Sequence, residues 1–403
     1  MKPLFRLYEQ PWAGLYVLSE LLLAISLGFP TLILSSLPRS HRPRSSWSIK
    51  RTIMVATIRQ LLRVFAKTRL FPGRHEFAVL LEGPGFKSLW VEPAHHLVRG
   101  QLKTWTSFTG VKPARIPGYW LDKPGLNIPV GQPIQPGEKI LYRIHGGGYV
   151  ASSARPNSPV ASDITKELLR TCPQFCRAFS IEYRLSQLEP GKPPVNPFPA
   201  ALLDILAGYT YLTDTLGIPA EDICVCGDSS GGNAALALVR YLVEARLHPQ
   251  EGQERVPAMP GSLILMSPLA DLGTSHETPG SSIYTNSSSD IVPLEIALAS
   301  TYRQQAFLGS LDPEEALVNP YLSPASKHST VSFKGFPSTF ISAGGAEVLL
   351  DQMRTLKERM EADLGDGLVY DERPDAVHIF MGLAFCEPEK SQALKRLADW
   401  IAG

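Results

Sequence analysis

The chain has 403 residues, 44% of them apolar and 19% charged, with 39 Lys+Arg against 38 Asp+Glu and a net charge of +1. This is the composition of a globular protein and excludes a disordered or collagen-like chain. With no bulk positive field and no basic, aromatic-interleaved stripe, nucleic acid is not an expected partner.

The first element is the apolar run Trp12 to Leu37, interrupted only by Glu20. A bilayer-spanning helix needs about 20 largely apolar residues, and Trp12 and Tyr16 lie where interface aromatics collect. Glu20 is costly in hydrocarbon, and Pro30 is expected to kink or end the helix. Three readings follow: a membrane anchor, a helix docked on or packed into the body, or a cleaved signal, the last disfavoured because no A-x-A-like site follows. Lys2 and Arg6 precede the run and Arg39, Arg42, Arg44, Lys50 and Arg51 follow it. By the positive-inside rule the body would face the cytosol. Next, Ile53 to Leu70 has apolar residues at helical spacing with Arg59, Arg63, Lys67 and Arg69. It reads as a basic amphipathic helix, its charges either in water or at a membrane surface.

Beyond it the order is regular. Strands are predicted at 139–144, 178–183, 223–226, 262–266, 338–342 and 367–370, and helices at 200–216, 233–245, 350–362 and 391–402. Alternating β and α implies a mostly parallel sheet with helices on both faces. Residues 267–337 break the rhythm and are too long for an ordinary loop, so they read as an inserted, partly helical lid. Cys172, Cys176, Cys224 and Cys226 could hold zinc on paper, but neither spacing is C-x2-C and small buried cysteines are common in cores. No metal and no organic cofactor is expected.

Two motifs sit in this frame. His145-Gly146-Gly147-Gly148-Tyr149 follows the strand at 139–144, and side-chain-free backbone there can present N–H donors to a substrate. It lacks the G-x-G-x-x-G spacing or Lys of a phosphate loop, and His145 reads as structural. Gly227-Asp228-Ser229-Ser230-Gly231 lies between a strand and a helix, the setting of a nucleophile elbow, in which glycines leave room for a strained turn that lifts Ser229 Oγ clear. The Ser230 N–H joins the donors of the first motif as an oxyanion hole.

The chain resembles the hormone-sensitive-lipase-like branch of the α/β-hydrolase fold, the arylacetamide deacetylase and carboxylesterase group. HGGGY at 145–149 and GDSSGG at 227–232 are similar to its signatures, the second of which usually reads GDSAGG. Glu182-Tyr183-Arg184-Leu185, Pro197-Phe198-Pro199-Ala200, Ser267-Pro268 with Asp271-Leu272, and Asn319-Pro320 with Ser323-Pro324 resemble lesser family motifs. Ser186-Gln187 departs from the usual Ala-Pro. The resemblance implies a chain order of Ser, acid, His, placing the acid at Glu347, where relatives more often have Asp, with Asp351 as the alternative. It places the base at His378, with His248, His276 and His328 outside the motifs.

These readings imply residues 1–45 as a membrane-anchor candidate, 46–116 as lid-associated helices and connections, and 117–403 as the catalytic domain. The implied function is a serine hydrolase of small to medium lipophilic carboxylic esters. It would use Ser229, Glu347 and His378, with N–H donors from Gly147, Gly148 and Ser230. A lactone hydrolase, an acyl-transfer enzyme, or a ligand-binding protein on the same scaffold stay open. The resemblance points to the endoplasmic reticulum membrane. The side stays open, because lumenal deacetylases and the sequon Asn286-Ser287-Ser288 oppose the charge rule.

Overall fold

Eight strands form one sheet in the computed structural model, which describes residues 6–70, 79–83, 85–247, 255–299 and 301–403. Lys2 and His248 lie outside the described residues. The strands are β1 (Lys87–Val91), β2 (Ile116–Asp122), β3 (Lys139–Ile144), β4 (Phe175–Ile181), β5 (Ile223–Asp228), β6 (Ser262–Met266), β7 (Ser338–Gly344) and β8 (Leu368–Arg373). Their spatial order is β1-β2-β4-β3-β5-β6-β7-β8. Pairing is parallel from β4 through β8 and antiparallel where β2 meets β1 and β4. The α/β architecture with a mostly parallel sheet is therefore the one the alternation implied. The central strands read as unbroken apolar runs because helices cover both faces. Helices Ala200–Thr210, Ser230–Leu247 and Leu350–Leu364 pack on one face, and Pro159–Thr171 and Glu389–Ala402 on the other.

Four elements escape the sequence pattern: β1, β2, and the helices Gly100–Thr109 and Pro159–Thr171. β2 is hidden by Pro117 and Gly118. Gly118 is required, since a Cβ there would stand 2.6 Å from the Phe179 ring on β4. The sheet thus begins at Lys87, ahead of residue 117, and Leu102 and Trp105 pack into the same core as the central helices.

The N-terminal helix runs from Trp12 to Ser35 and is long and apolar enough to cross a membrane. Pro30 does not end it. A π turn at Ala24–Gly28 precedes Pro30, and such a turn rearranges the ladder where proline cannot donate. Leu22 is 59% and Leu34 66% exposed, so this is not a core helix. Glu20 is bonded at its seam with the next helix, accepting from Gln60 Nε2 at 2.6 Å.

That next helix, Ile49–Thr68, opens on a Ser48 cap, whose Oγ accepts the Arg51 N–H, and is followed by Arg69 at φ 56°. Its basic residues are neither simply solvated nor left for a membrane. Arg59 donates to the carbonyls of Ser288 (2.7 Å) and Asp290 (2.9 Å), and Arg63 pairs with Glu295 at 2.9 Å. Arg69 lies over the rings of Tyr8 (4.1 Å) and Tyr302 (4.3 Å). The 267–337 insertion takes up these charges, a long-range pairing that helical spacing cannot reveal.

Trp47 anchors the start of this helix. It is buried, donates from Nε1 to the Asp375 carbonyl at 3.0 Å, and lies beneath the Arg51 guanidinium, which pairs with Glu389 at 2.8 Å. Trp47→Ala is expected to cost about 3–5 kcal/mol, because a large buried ring leaves a cavity and the Asp375 carbonyl loses a donor. Urea unfolding of the variant against the parent measures it.

Candidate active site

Ser229 sits at φ 51°, between β5 and helix Ser230–Leu247. A non-glycine residue holds this left-handed conformation only when its surroundings over-determine it. Here the Ser229 N–H donates to the Met266 carbonyl (3.0 Å), and its own carbonyl accepts from Gly232 (3.0 Å) and Leu269 (2.9 Å). The flanking glycines are sterically required. A Cβ on Gly227 would lie 2.2 Å from the Gly231 carbonyl oxygen, and one on Gly231 would lie 2.3 Å from that of Ile144.

The neighbouring residue fastens the two motifs together. Asp228 Oδ1 accepts from the Gly146 N–H at 3.0 Å and from Arg143 Nη2, with both side chains almost fully buried. Burial works against the Arg143 charge, but the Asp228 carboxylate outweighs it and raises the guanidinium pKa above its ordinary value. The glycine loop is thereby held against the elbow. Gly147 and Gly148 lie at φ 114° and 64°. Among the described residues the N–H groups of Gly147 and Ser230 have no partner, whereas that of Gly148 donates to Ser230 Oγ at 2.8 Å. His145 stacks on Tyr183 at 4.2 Å and donates from Nδ1 to the Gly146 carbonyl at 2.8 Å. Burial pushes its pKa down to about 4, so it stands neutral, packed behind the loop.

Glu347 follows β7 and His378 follows β8, and the loops bring them together. His378 Nδ1 lies 2.8 Å from Glu347 Oε2, both buried. The other Glu347 oxygen accepts from the Gly344 N–H (2.6 Å) and Ser267 Oγ (2.7 Å), so the carboxylate is fully engaged and aimed. Burial disfavours charge on His378. The Glu347 hydrogen bond, with the fields of Glu347, Asp290 and Asp228, prevails and raises its pKa. No hydrogen bond joins Ser229 Oγ to His378 in this conformation; Nε2 is the ring nitrogen left over. Such contacts commonly tighten only with substrate bound. Asp351 lies elsewhere, accepting from the Ser282 N–H at 2.7 Å. His276 is tied by both nitrogens, to Asp271 at 2.7 Å and Thr355 at 3.0 Å.

Two residues of the site escape sequence reading. Ser267, at φ 46°, bridges Glu347 and the Ile379 N–H (3.0 Å). Its S-P-x-x-D-L context marks the motif but not the role. Asp290 is fully buried and accepts from the backbone N–H groups of His378 (2.9 Å) and Val348 (2.9 Å), joining the two loops, and burial raises its pKa to about 6. No local pattern announces it. Asn286, the sequon residue, is buried and bonded to Gly345, Glu347 and Arg44, so it has no free side chain for a glycan.

Glu347→Gln tests the pair. The amide would keep one acceptor for Gly344 and Ser267 but turn an N–H toward Nδ1, forcing the tautomer whose Nε2 cannot accept a proton. Esterase kcat/KM at neutral pH should fall on the order of 10⁴-fold. The acid limb of its pH profile should move to lower pH, because removing the carboxylate lowers the His378 pKa and less acid is then needed to protonate it.

The alpha/beta hydrolase fold family matches over residues 141–382, more than half of the chain. An acetyl-hydrolase of Streptomyces hygroscopicus is 26% identical over 264 residues, covering 65% of this chain and 74% of the relative. The hormone-sensitive lipase of Mus musculus is 33% identical over 102 residues, 25% of this chain and 12% of the lipase. A solved esterase from the bacterial hormone-sensitive lipase family superposes with a TM-score of 0.56 at 22% identity, covering 88% of this chain and 98% of the other.

Proposed function

The chain belongs to the α/β-hydrolase fold family and is a carboxylic ester hydrolase of its hormone-sensitive-lipase-like branch, and from that premise we propose a double-displacement mechanism on Ser229. His378 Nε2, held in the right tautomer by Glu347, takes the Ser229 proton as Oγ attacks the ester carbonyl. The Gly147 and Ser230 N–H groups receive the oxyanion, and Gly148 joins them when its N–H turns from Ser230 Oγ. His378 then gives the proton to the departing alkoxide, leaving an acyl-Ser229 ester. Water repeats the sequence and releases the acid. The observation that carries this reading is the buried Glu347–His378 bond, which prepares a base in a family whose nucleophile position is filled by Ser229. That same bond speaks against a binding-only protein lacking a working base. Lactone opening would use the same residues with the leaving alkoxide still tethered to the acyl group, and acyl transfer would replace water by another acceptor in the second step.

Ser229→Ala should abolish hydrolysis of a short p-nitrophenyl ester and labelling by a fluorophosphonate probe, without lowering the unfolding midpoint. Retained turnover would refute the mechanism.

The exposed helix Trp12–Ser35 supports a membrane anchor, which would hold the enzyme where lipophilic esters partition. With Asn286 buried, the sequon no longer argues for a lumenal body; the resemblance to lumenal deacetylases still does, and against it the charge rule favours a body in the cytosol at the endoplasmic reticulum, which is the orientation proposed. The full chain should resist carbonate extraction from microsomes, and a chain starting at Pro38 should be released. Protease should reach the body of the full chain in intact microsomes.

A further inference from the structure

Helix Tyr302–Leu308 of the 267–337 insertion lays Arg303 against the glycine loop. A Cβ built on Gly148 would stand 2.4 Å from Arg303 Cδ, 3.0 Å from Cγ and 3.7 Å from Nε. Only a bare Cα at Gly148 leaves room for this stem, which puts the guanidinium beside an oxyanion donor. The helix is fixed on both sides. Phe307 stacks on Tyr149 at 3.7 Å, the Phe307 carbonyl accepts from the Phe198 N–H at 2.7 Å, and Gln304 Nε2 donates to the Leu272 carbonyl at 2.6 Å.

Among the described residues Arg303 has no counter-ion. The buried arginines pair with carboxylates: Arg51 with Glu389, Arg143 with Asp228, Arg177 with Glu138, Arg184 with Asp204 and Arg240 with Glu244, and the part-buried Arg59 and Arg359 donate to backbone carbonyls. Among the described residues Arg303 makes neither an ion pair nor a hydrogen bond, and its Nε is sealed from solvent without an acceptor. Glu277, a carboxylate whose field reaches it, takes the Ala299 N–H instead. Burial lowers the Arg303 pKa to about 10, which leaves it charged at neutral pH. A part-buried cation kept unpaired is costly, and such costs are tolerated at binding sites where a ligand supplies the missing charge. The planar guanidinium fork matches a carboxylate.

We propose that Arg303 binds a carboxylate on the substrate, joined by a short chain to the scissile ester. The preferred substrates are then esters carrying a free acid group, on the acyl or the alcohol side, rather than fully neutral esters. This rests on the ester-hydrolase reading of Ser229. Two matched pairs separate the two sides: phenyl hemiglutarate against phenyl methyl glutarate, and 4-acetoxybenzoate against its methyl ester. The wild type should favour the acid over the neutral ester at least tenfold in kcat/KM in one pair, the preference shrinking with salt. Arg303→Met should reduce that ratio at least tenfold, and Arg303→Lys should restore part of it. A ratio that Arg303→Met leaves unchanged in both pairs, or a wild type that disfavours the acids, overturns the proposal. Because a cation without a partner adds nothing to the fold, Arg303→Met should not lower the unfolding midpoint; a large loss would make Arg303 structural. Binding of the four esters to Ser229→Ala, with and without Arg303→Met, is read by calorimetry. It keeps the test independent of turnover: at least tenfold weaker binding of an acid supports the proposal even if hydrolysis fails, and equal binding of all four refutes it.

Discussion

The buried ion pair between Arg143 and Asp228 is the constraint on which the candidate site depends. Arg143 is the last residue but one of one central strand and Asp228 the last of the next, and the aspartate also receives the Gly146 N–H. One carboxylate therefore locks the glycine loop to the turn at Ser229, so the two cannot drift apart. Two charges with so little access to water persist because each satisfies the other, and Arg143 Nη1 also donates to the Ile144 carbonyl, while its Nε is left without a partner among the described residues. Breaking one side would strand the other charge in the centre of the sheet. The strained Ser229 backbone is affordable because this frame leaves its neighbours nowhere to move.

A second network holds the Glu347–His378 pair. Asp290, Ser267 and Glu347 share the backbone N–H groups of His378, Val348, Gly344 and Ile379, so four loop segments converge on one polar knot. Buried polar networks of this kind rigidify when every member is satisfied. The N-terminal segment adds an outer brace: Arg44 donates to the Gly345 carbonyl at 2.7 Å, and Trp47 and Arg51 both hold the Asp375 carbonyl, close before His378. Residues well outside the matched family region thus bear directly on the geometry of the histidine loop.

The apolar helix and the insertion are also mechanically continuous. Arg69 between Tyr8 and Tyr302 links the N-terminal end to the residue beside Arg303, and Arg59 and Arg63 link the second helix to residues 288–295. A membrane-held N terminus would therefore pull on residues 288–302 of that segment.

Local constraints made much of this legible in the sequence. Glycines two residues either side of Ser229 and three in a row after His145 are imprinted by sterics within a few residues, and the β/α alternation reflects burial on both faces of each strand. Chain order and family resemblance then pointed to Glu347 and His378. The remainder depends on contacts between distant segments. Asp290 and Ser267 are ordinary polar residues until folding places them beside two loops. Pro117 and Gly118 disguise β2 because the Phe179 ring needs the glycine, and Arg303 is one arginine among many until its stem crosses Gly148. The sequence by itself determined the architecture, the elbow and the glycine loop, because period and steric necessity are written locally. Only the tertiary structure decided which carboxylate meets the histidine, which charges are spent on the insertion and which stands unpaired, because pairing between buried groups is set by proximity in space.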